Sequence, residues 1–477
     1  MLFSSLTFII AFLPLVLIVY YYCPTIKTRN YFLLIASFVF YAWGEPKYVL
    51  VMLVSILLNY RCGILLAEQV FSKSTRRFVL AAGITLNLLL LFYFKYFTFS
   101  ERIINKIFRM IDCPQFQVPL LDIALPLGIS FYTFQSISYL ADVYKRPCMA
   151  QNNILNLGLY ISFFPQLIAG PIVRWHDINL QIQERAHSTE FFSRGAGRFI
   201  VGLSKKVLIA NTMAAMADEI FSFSFQSIPF YFLVLGIVCY TFQIYYDFSG
   251  YSGMAIGLGM MFGFNIPENF NYPYASKSIT EFWRRWHISL SLWFKDYLYI
   301  PLGGNRKGKL RTTLNLFIVF FTTGLWHGAA LNFIVWGLGH GTLLFFEKIY
   351  AHKIAKIIKN QKLRNFCGHL YMLITVILLW VFFRFGIKES LRFMHGIFSL
   401  NQGSKSVELF INAGIGRQFI ISFFAAVCFA FPWWKKISAL YNHALIIPRY
   451  AALIILLILS FCQLASGTYN PFIYFRF

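Results

Sequence analysis

Residues 281–340 read EFWRRWHISLSLWFKDYLYIPLGGNRKGKLRTTLNLFIVFFTTGLWHGAALNFIVWGLGH. This stretch carries two histidines, His287 and His327, each preceded by a tryptophan and set among apolar residues. His327 lies inside an almost uncharged run from Leu314 to Phe346. An ionisable side chain in such a run is costly unless it faces protein or a water-filled cavity, so it marks a candidate functional site. We therefore interpret the rest of the chain as the scaffold of these two histidines.

The composition indicates an integral membrane protein. Of the 477 residues, 58% are hydrophobic and only 13% are charged, whereas soluble proteins contain about 25% charged residues. Lysine and arginine number 42 against 18 acidic residues, which gives a net charge of +24. Basic cytoplasmic loops facing anionic lipid account for this excess better than nucleic-acid binding does, because no polar domain surrounds a basic patch.

The cysteines and the first residues exclude other classes of protein. The eight cysteines are scattered, with no Cys-x-x-Cys or Cys/His cluster, so we expect neither a disulfide framework nor a zinc or other metal site. Residues 1–22 lack a basic start and a small-residue cleavage site. We expect them to form a retained first span rather than a signal peptide.

The apolar runs predict an all-α polytopic membrane protein with about 11 to 13 transmembrane helices, together with re-entrant and interfacial helices. Without a repeat or a soluble domain, residues 1–477 are expected to form a single domain. Its core, with the catalytic histidines, is placed at about residues 119–347, and a C-terminal outward span with its tail at about 450–477. Basic residues are concentrated in every second loop between the predicted spans. By the positive-inside rule these loops face the cytoplasm, so we expect the N-terminus and the C-terminus to lie outside.

Proline and glycine predict where helices are interrupted. They lie within apolar sequence at residues 125–132 and 163–172, and broken helices at membrane depth are tolerated where they line a cavity or pack on protein. Spans are expected at 199–216 and 229–246. Residues 247–253, DFSGYSG, are expected to open a separate glycine-rich stretch that ends at Phe264.

The run from Leu314 to Phe346 is too long for one membrane-spanning helix. As a straight helix it would measure about 50 Å, against about 30 Å of hydrocarbon core. We expect a break between Gly324 and Gly328, which places His327 at the break.

Residues 265–311 contain no long apolar run and are typical of re-entrant or interfacial helices. Their polar side chains could hold the phosphates of a nucleotide-containing donor, or they could form a rim of the cytoplasmic face that contacts lipid. The candidates are Arg284, Arg285, Lys295, Asn305, Arg306 and Lys307.

A buried histidine suits general-base catalysis, because its pKa near neutrality lets it take a proton from a hydroxyl and return it to a leaving group. With a thioester donor such as acetyl-CoA, that base and a donor pocket would suffice. Three alternatives remain: His327 could be a packing residue, His287 could belong to an interfacial belt, and His340 is a further candidate. Broken helices with a buried ionisable residue also describe a transporter or flippase, although no inverted repeat is found.

Several long motifs resemble the membrane-bound O-acyltransferase family, and specifically its bacterial branch that includes alginate O-acetyltransferase, with the teichoic acid D-alanyl transfer protein as a more distant relative. The resemblance covers nearly the whole chain. It implies helices around a central funnel or tunnel where a cytoplasmic acyl donor reaches a site within the membrane. It also matches His327 to the family's catalytic histidine and His287 to its second histidine. The motifs are residues 41–46, 164–172, 247–252, 282–291, 299–305 and 324–328.

The C-terminal residues 470–477, NPFIYFRF, could be an aromatic interfacial belt. They also resemble the C-terminal motif of the small partner protein of D-alanyl transfer, in which a tyrosine accepts the acyl group. This resemblance implies that Tyr474 is a catalytic relay in an enzyme of the bacterial inner membrane. A separate periplasmic transferase of the Gly-Asp-Ser (SGNH) type would then acetylate an exported polysaccharide. Alginate or a similar polymer is the first expectation, and peptidoglycan acetylation and D-alanyl transfer are the alternatives.

Overall fold

The computed structural model describes residues 1–68, 70–400, 402–403, 415–433, 446–467 and 470. Within these ranges the chain forms helices and connecting turns and contains no β-strand. The predicted all-α class is therefore confirmed. The chain divides into two compact units, the first comprising residues 1–195 and 258–267, and the second residues 196–257 and 268–477.

We number the α-helices of the described residues in chain order. Helices α1 to α10 are Leu13–Tyr22, Ile26–Ala42, Val49–Ala67, Lys73–Leu91, Phe97–Met110, Ile129–Lys145, Ile154–Ser162, Phe164–Leu167, Trp175–Gln183 and Thr189–Ser204. Helices α11 to α20 are Asn211–Ser222, Phe230–Met261, Ile279–Arg285, Ile288–Phe294, Gly308–His327, Leu331–Ile357, Gln361–Arg384, Ile387–Phe398, Arg417–Phe429 and Ile446–Ala465. Four π-helical segments lie at Thr7–Phe12, Phe92–Tyr96, Lys205–Ala210 and Lys295–Tyr299, and short 3₁₀ turns at Pro46–Tyr48, Pro114–Phe116, Pro147–Met149 and Pro273–Ala275.

Six helical segments of the described chain are long and apolar enough to cross a membrane, and two shorter apolar helices accompany them. This agrees with a polytopic membrane protein, while the predicted number of spans stays a prediction. The six segments are Pro46–Ala67, Lys73–Met110, Thr189–Ser222, Phe230–Met261, Gln361–Arg384 and Ile447–Ala465.

The interruptions expected in the first unit are confirmed. Before α6, Gly128 adopts a left-handed conformation with φ of +77°, and a Cβ there would lie 2.7 Å from the carbonyl oxygen of Leu167. Only glycine combines that backbone conformation with so close an approach. Helix α7 ends at Ser162, the four-residue helix α8 follows, and the next longer helix begins at Trp175.

The expected boundary at Asp247 is wrong, because α12 runs unbroken from Phe230 to Met261. Its glycines serve helix packing instead. A Cβ on Gly250 would lie 2.8 Å from the carbonyl oxygen of Gly202, and a Cβ on Gly202 would lie 2.6 Å from that of Gly250. Small residues let two helix backbones approach closely in membranes. The glycine-rich sequence therefore marks a helix crossing rather than a helix end.

The predicted break at His327 is confirmed: α15 ends at this residue and α16 begins at Leu331. The two helices pack with their backbones in contact. A Cβ on Gly324 would lie 2.3 Å from the carbonyl oxygen of Phe333, and a Cβ on Gly337 would lie 2.3 Å from that of Phe320. The glycines around the break therefore hold the end of α15, and with it His327, against α16.

Candidate functional site

The structure brings the two predicted histidines together inside the second unit. The ring centroids of His287 and His327 are 6.3 Å apart, and the ring planes are inclined by 64°. The residues are 0% and 6% exposed, respectively. Forty residues of sequence separate them, so their proximity is a product of the fold.

His287 occupies an unusual backbone position. It is the N-cap of α14 and lies in the left-handed region, with φ of +44° and ψ of +52°. This conformation is uncommon for residues with a side chain, and such positions cluster at functional sites because the surrounding structure must hold them. The sharp turn between α13 and α14 thus directs the imidazole into the interior.

Asn269 determines the proton arrangement of His287. The backbone N–H of Ser289 donates to the Oδ1 atom of Asn269 at 3.2 Å, and the Ser289 hydroxyl donates to the same atom at 2.8 Å. Because a backbone N–H can only donate, this contact identifies the amide oxygen. The Nδ1 atom of His287, 3.1 Å from that oxygen, must then carry a proton. In the neutral imidazole Nε2 is therefore the acceptor nitrogen, the form that a general base requires.

Aromatic rings enclose the histidine pair. Phe248 of α12 packs edge-on against His287 at 4.7 Å between centroids. Around His327, the rings of Trp326, Trp336 and Phe383 lie 5.0 to 5.1 Å away. These side chains limit the access of bulk water to the two imidazoles.

Glu347 fixes the start of α13, the helix that leads to His287. Its carboxylate accepts hydrogen bonds from the backbone N–H groups of Ile279 and Thr280, at 2.5 and 2.9 Å, and from the Thr280 hydroxyl at 2.6 Å. The hydroxyl of Ser278, the N-cap residue, accepts from the N–H of Glu281 at 3.0 Å. A carboxylate at a helix N-terminus satisfies orphan N–H groups and complements the helix dipole.

His340, the third candidate histidine, is buried among aromatic side chains of the same unit. Its ring is 0% exposed and stacks parallel to Phe282, with Trp283 and Trp336 edge-on at 5.1 Å. In the described part of the chain neither of its ring nitrogens has a hydrogen-bond partner. The indole of Trp336 contacts both His340 and His327, so His340 packs against the aromatic wall of the site.

The candidate donor-binding residues flank this buried centre along the chain. Arg284, Lys295, Asn305 and Arg306 are exposed, as is Lys307. Arg285 is half-buried and pairs with Glu281 at 2.8 Å, while also donating to the carbonyl oxygen of Asn271 at 3.1 Å. Asn305 accepts a hydrogen bond from Tyr299. The exposed side chains could meet a charged molecule at the surface, whereas Arg285 already supports α13.

The third predicted catalytic residue, Tyr474, lies outside the described residues. The last residue that the structure describes is Asn470, whose Oδ1 atom accepts a hydrogen bond from the Nδ2 atom of Asn211 at 3.1 Å. This contact places Asn470 against Asn211, the first residue of α11, which directly follows the π-helical segment Lys205–Ala210.

Two residues of the site were not predicted from the sequence. Asn269 and Glu347 contact residues 18 and 68 positions away, respectively. Neither has a sequence signal of its own, since an asparagine in a polar turn and a glutamate directly after an apolar run are common. The left-handed turn at His287 joins two short helices whose boundary the apolar pattern does not reveal.

These observations define a class of protein: a helical membrane protein with a buried, oriented histidine pair suited to proton transfer. The family model described as "MBOAT, membrane-bound O-acyltransferase family" matches residues 149–386, which include both histidines. The chain belongs to this family and is an O-acyltransferase. Membership of this family favours acyl transfer over the alternative of a transporter or flippase.

Relatives of known name cover most of the chain. It is 43% identical to the "Probable alginate O-acetylase AlgI" of Pseudomonas aeruginosa over 385 residues, which cover 80% of this chain and 72% of that protein. A protein of the same name from Pseudomonas putida is 38% identical over 500 residues, covering both chains fully. The "Peptidoglycan O-acetyltransferase" of Helicobacter pylori is 36% identical over 433 residues, covering 84% of this chain and 80% of that one.

Proposed function

We propose that this protein transfers acetyl groups from acetyl-CoA on the cytoplasmic side to an acceptor that delivers them for O-acetylation of an exported polysaccharide. Alginate is the polymer that the names of its relatives favour. The observation that carries the proposal is the buried pair of His287 and His327, with rings 6.3 Å apart and one of them oriented by Asn269. Acetyl-CoA is a substrate of this reaction, and no permanently bound cofactor or metal is required.

His327 is assigned the role of general base. It would take the proton of the attacking hydroxyl as that oxygen bonds to the acetyl carbonyl carbon, and would return the proton to the departing thiolate when the carbon–sulfur bond breaks. General acid–base catalysis of this kind contributes about 10²- to 10⁴-fold to a rate. His287, held with its acceptor Nε2 in the same aromatic enclosure, would stabilise the protonated state of its neighbour or orient the hydroxyl.

Tyr474 is proposed as the first acceptor. The phenol oxygen would attack the thioester, giving an acetylated tyrosine and free CoA thiol. In a second transfer, a hydroxyl of a periplasmic SGNH-type transferase would take the acetyl group and restore the phenol. A phenyl ester is more reactive than an alkyl ester, so onward transfer to an alcohol is downhill. The partner would then choose the polymer.

Four exposed side chains are proposed to hold the phosphates of the donor: Arg284, Lys295, Asn305 and Arg306. Guanidinium and ammonium groups form charge-assisted bonds to phosphate. Arg285 would assist less directly, because its guanidinium already pairs with Glu281.

Peptidoglycan O-acetylation is the second candidate function. The similarity to the Helicobacter pylori protein supports it, since that alignment extends over 84% of this chain. D-alanyl transfer has weaker support: the "Teichoic acid D-alanyltransferase" of Bacillus subtilis is 29% identical over 51% of this chain.

The proposed location is the bacterial inner membrane, with the N-terminus and the C-terminus on the outer side. The positive-inside rule supports this orientation, because the strongly basic stretch 348–364 would then face the cytoplasm. An outer C-terminus would present Tyr474 to a periplasmic partner.

The test is mass spectrometry of the purified protein after incubation with acetyl-CoA, for the wild type, His327→Ala and Tyr474→Phe. We expect an acetyl group on the C-terminal peptide of the wild type and its loss in both variants. Ser466→Ala, an exposed change outside the proposed machinery, is the matched control and should label normally. An unlabelled tail together with full transfer activity in Tyr474→Phe would overturn the relay.

A further inference from the structure

The second unit contains a buried ion pair that the proposed mechanism does not use. The Nζ atom of Lys206 is 3.0 Å from the Oδ1 atom of Asp247, and both side chains are 2% exposed. Each residue lies near the middle of a long apolar segment, Thr189–Ser222 and Phe230–Met261. Charges at this depth are expensive and are characteristic of functional positions.

Stability alone does not explain this pair. Well-packed apolar side chains of similar volume are often as stabilising as a buried ion pair, or more so, because they avoid desolvation of two charges. Lys206 also lies in the π-helical segment Lys205–Ala210, which interrupts regular α-helix in the middle of the apolar segment. Single-turn π-helical segments of this kind are frequent at functional sites.

The ion pair continues as a chain of hydrogen bonds with a fixed direction. The ammonium group of Lys206 donates to the Oδ1 atom of Asn211 at 2.7 Å. Because lysine can only donate, that contact assigns the oxygen of the Asn211 amide and leaves its Nδ2 to donate. Nδ2 does so to the Oδ1 atom of Asn470 at 3.1 Å. The sequence of contacts is thus Asp247, Lys206, Asn211, Asn470.

Each end of this chain of contacts is close in sequence to a residue connected with the proposed reaction. Phe248, the residue after Asp247, packs its ring against His287 at 4.7 Å. At the other end, Tyr474 follows Asn470 by four residues, a length of chain that spans at most about 14 Å when fully extended. Fixing Asn470 therefore limits where the phenol can lie.

The last helix is attached to the same region. The hydroxyls of Ser204 and Ser460 lie 3.2 Å apart, and a Cβ on Gly197 would be 3.2 Å from the Cδ1 atom of Leu453. These contacts hold α20 against the segment that carries Lys206. The segment that carries Lys206 and Asn211 therefore contacts α20 through packing and Asn470 through a hydrogen bond.

The geometry points to Asp247, Lys206 and Asn211 as an internal anchor that holds Asn470 and so positions the C-terminal tail for acyl transfer. This inference rests on the proposed tyrosine relay. Asn211 and Asn470 are positioning residues: in the proposed reaction they act through the acceptor tyrosine rather than on the donor. Their loss should lower kcat for tail acetylation and leave the KM for acetyl-CoA unchanged.

The test compares two nearly isosteric variants of Asn470 in the full-length protein. Asn470→Asp keeps the acceptor oxygen for Asn211, whereas Asn470→Leu removes it. Acetylation of the C-terminal peptide is followed by mass spectrometry over a range of acetyl-CoA concentrations. We expect kcat to fall about tenfold or more in Asn470→Leu, since a displacement of about 1 Å from the reactive geometry can cost 10²-fold. Asn470→Asp should stay close to the wild type.

Ser466→Ala is the control, because the Ser466 hydroxyl donates a local hydrogen bond, to the carbonyl oxygen of Gln463. The C-terminal peptide of this variant should be acetylated at the wild-type rate. The double variant Asn211→Ala/Asn470→Leu should be no slower than the slower of the two single variants, because both substitutions remove the same contact. Equal rates for Asn470→Leu and wild type, or an equal loss in Asn470→Asp and Asn470→Leu, would overturn the anchor while leaving the relay intact. Absence of acetyl on the wild-type tail would overturn both.

Discussion

The Nδ1 atom of His287 lies 3.1 Å from the Oδ1 atom of Asn269, and this contact assigns the proton of the imidazole. The same oxygen accepts from the backbone N–H and the hydroxyl of Ser289. Three donors thus converge on one amide oxygen, which couples the orientation of the ring to the first turn of α14. A residue outside the histidine motifs therefore controls the acid–base form of His287.

Removal of the acceptor from Asn269 should impair catalysis more than stability. Asn269→Leu leaves Nδ1 of His287 without its partner, so the ring can rotate or carry its proton on Nε2. We expect kcat for acetyl transfer to fall about 10- to 100-fold, the scale of a misplaced catalytic group. Asn269→Asp retains the acceptor oxygen, so its kcat should fall less than that of Asn269→Leu. The measurement is the rate of thiol release from acetyl-CoA, with the C-terminal acetyl group quantified in parallel.

Asn271→Ala is the control for this prediction. It lies in the same turn, and its side chain is exposed. It should keep the wild-type rate. If Asn269→Leu were as active as Asn271→Ala, the orientation of His287 would have no part in the reaction.

A second prediction concerns the pH dependence of stability that His187 gives to the first unit. The guanidinium of Arg29 donates to the Nδ1 atom of His187 at 3.1 Å, so Nε2 carries the proton and faces the hydroxyl of Tyr20 at 2.7 Å. Burial, followed by the charges of Arg29 and Arg185, lowers the pKa of His187 to about 4. The unfolded pKa is about 6.5, so the unfolded chain binds more protons between these values.

The stability contributed by neutral His187 is therefore fully present above pH 6.5 and is lost as the pH falls through about 4. We expect the melting temperature of the detergent-solubilised protein to fall over this window, and to fall less in His187→Gln. His352→Gln, a change at an exposed histidine, should reproduce the wild-type profile. Identical profiles for His187→Gln and the wild type would contradict the prediction.

The sequence correctly predicted those features of the fold that depend on short stretches of residues. The all-α class and the break that ends a helix at His327 follow from run lengths and glycines. The approach of His287 to His327 was expected only from the family resemblance. The Lys206–Asp247 pair was not predicted, because a single charged residue in an apolar run gives no indication of which residue it contacts, here one 41 positions away. The glycines near Asp247 were misinterpreted for a related reason: Gly250 fits a helix crossing with Gly202, which only the fold shows.

A third prediction separates two glycines of α16. Gly337 faces the backbone of α15, and a Cβ there would lie 2.3 Å from a carbonyl oxygen, whereas a Cβ on Gly339 would meet the Cδ2 atom of Leu379 at 2.7 Å. A side-chain tip can move, but a helix backbone moves only with its helix. Gly337→Ala should therefore destabilise the protein by about 1 to 3 kcal/mol, the usual cost of overpacking, and should also lower activity by displacing His327.

Gly339→Ala is the matched variant on the same helix. The better helix propensity of alanine, worth up to about 1 kcal/mol, offsets the shift of Leu379. Thermal unfolding of the two variants, with the rate of acetyl transfer, checks the comparison. A Gly339→Ala variant less stable than Gly337→Ala would show that backbone contact between α15 and α16 does not hold the break.

The last prediction decides the role of His340. Its two ring nitrogens have no hydrogen-bond partner among the described residues, and its ring is fully buried between aromatic side chains. An unsatisfied buried polar group costs about 1 to 3 kcal/mol, so His340→Leu, similar in volume and apolar, should raise the melting temperature. Because His340 contacts the site through Trp336, which packs against His327, the variant should keep most of its acetyl-transfer activity, whereas His327→Leu should lose it. A His340→Leu protein that is more stable but inactive would instead make His340 a third member of the catalytic site, retained at the expense of stability.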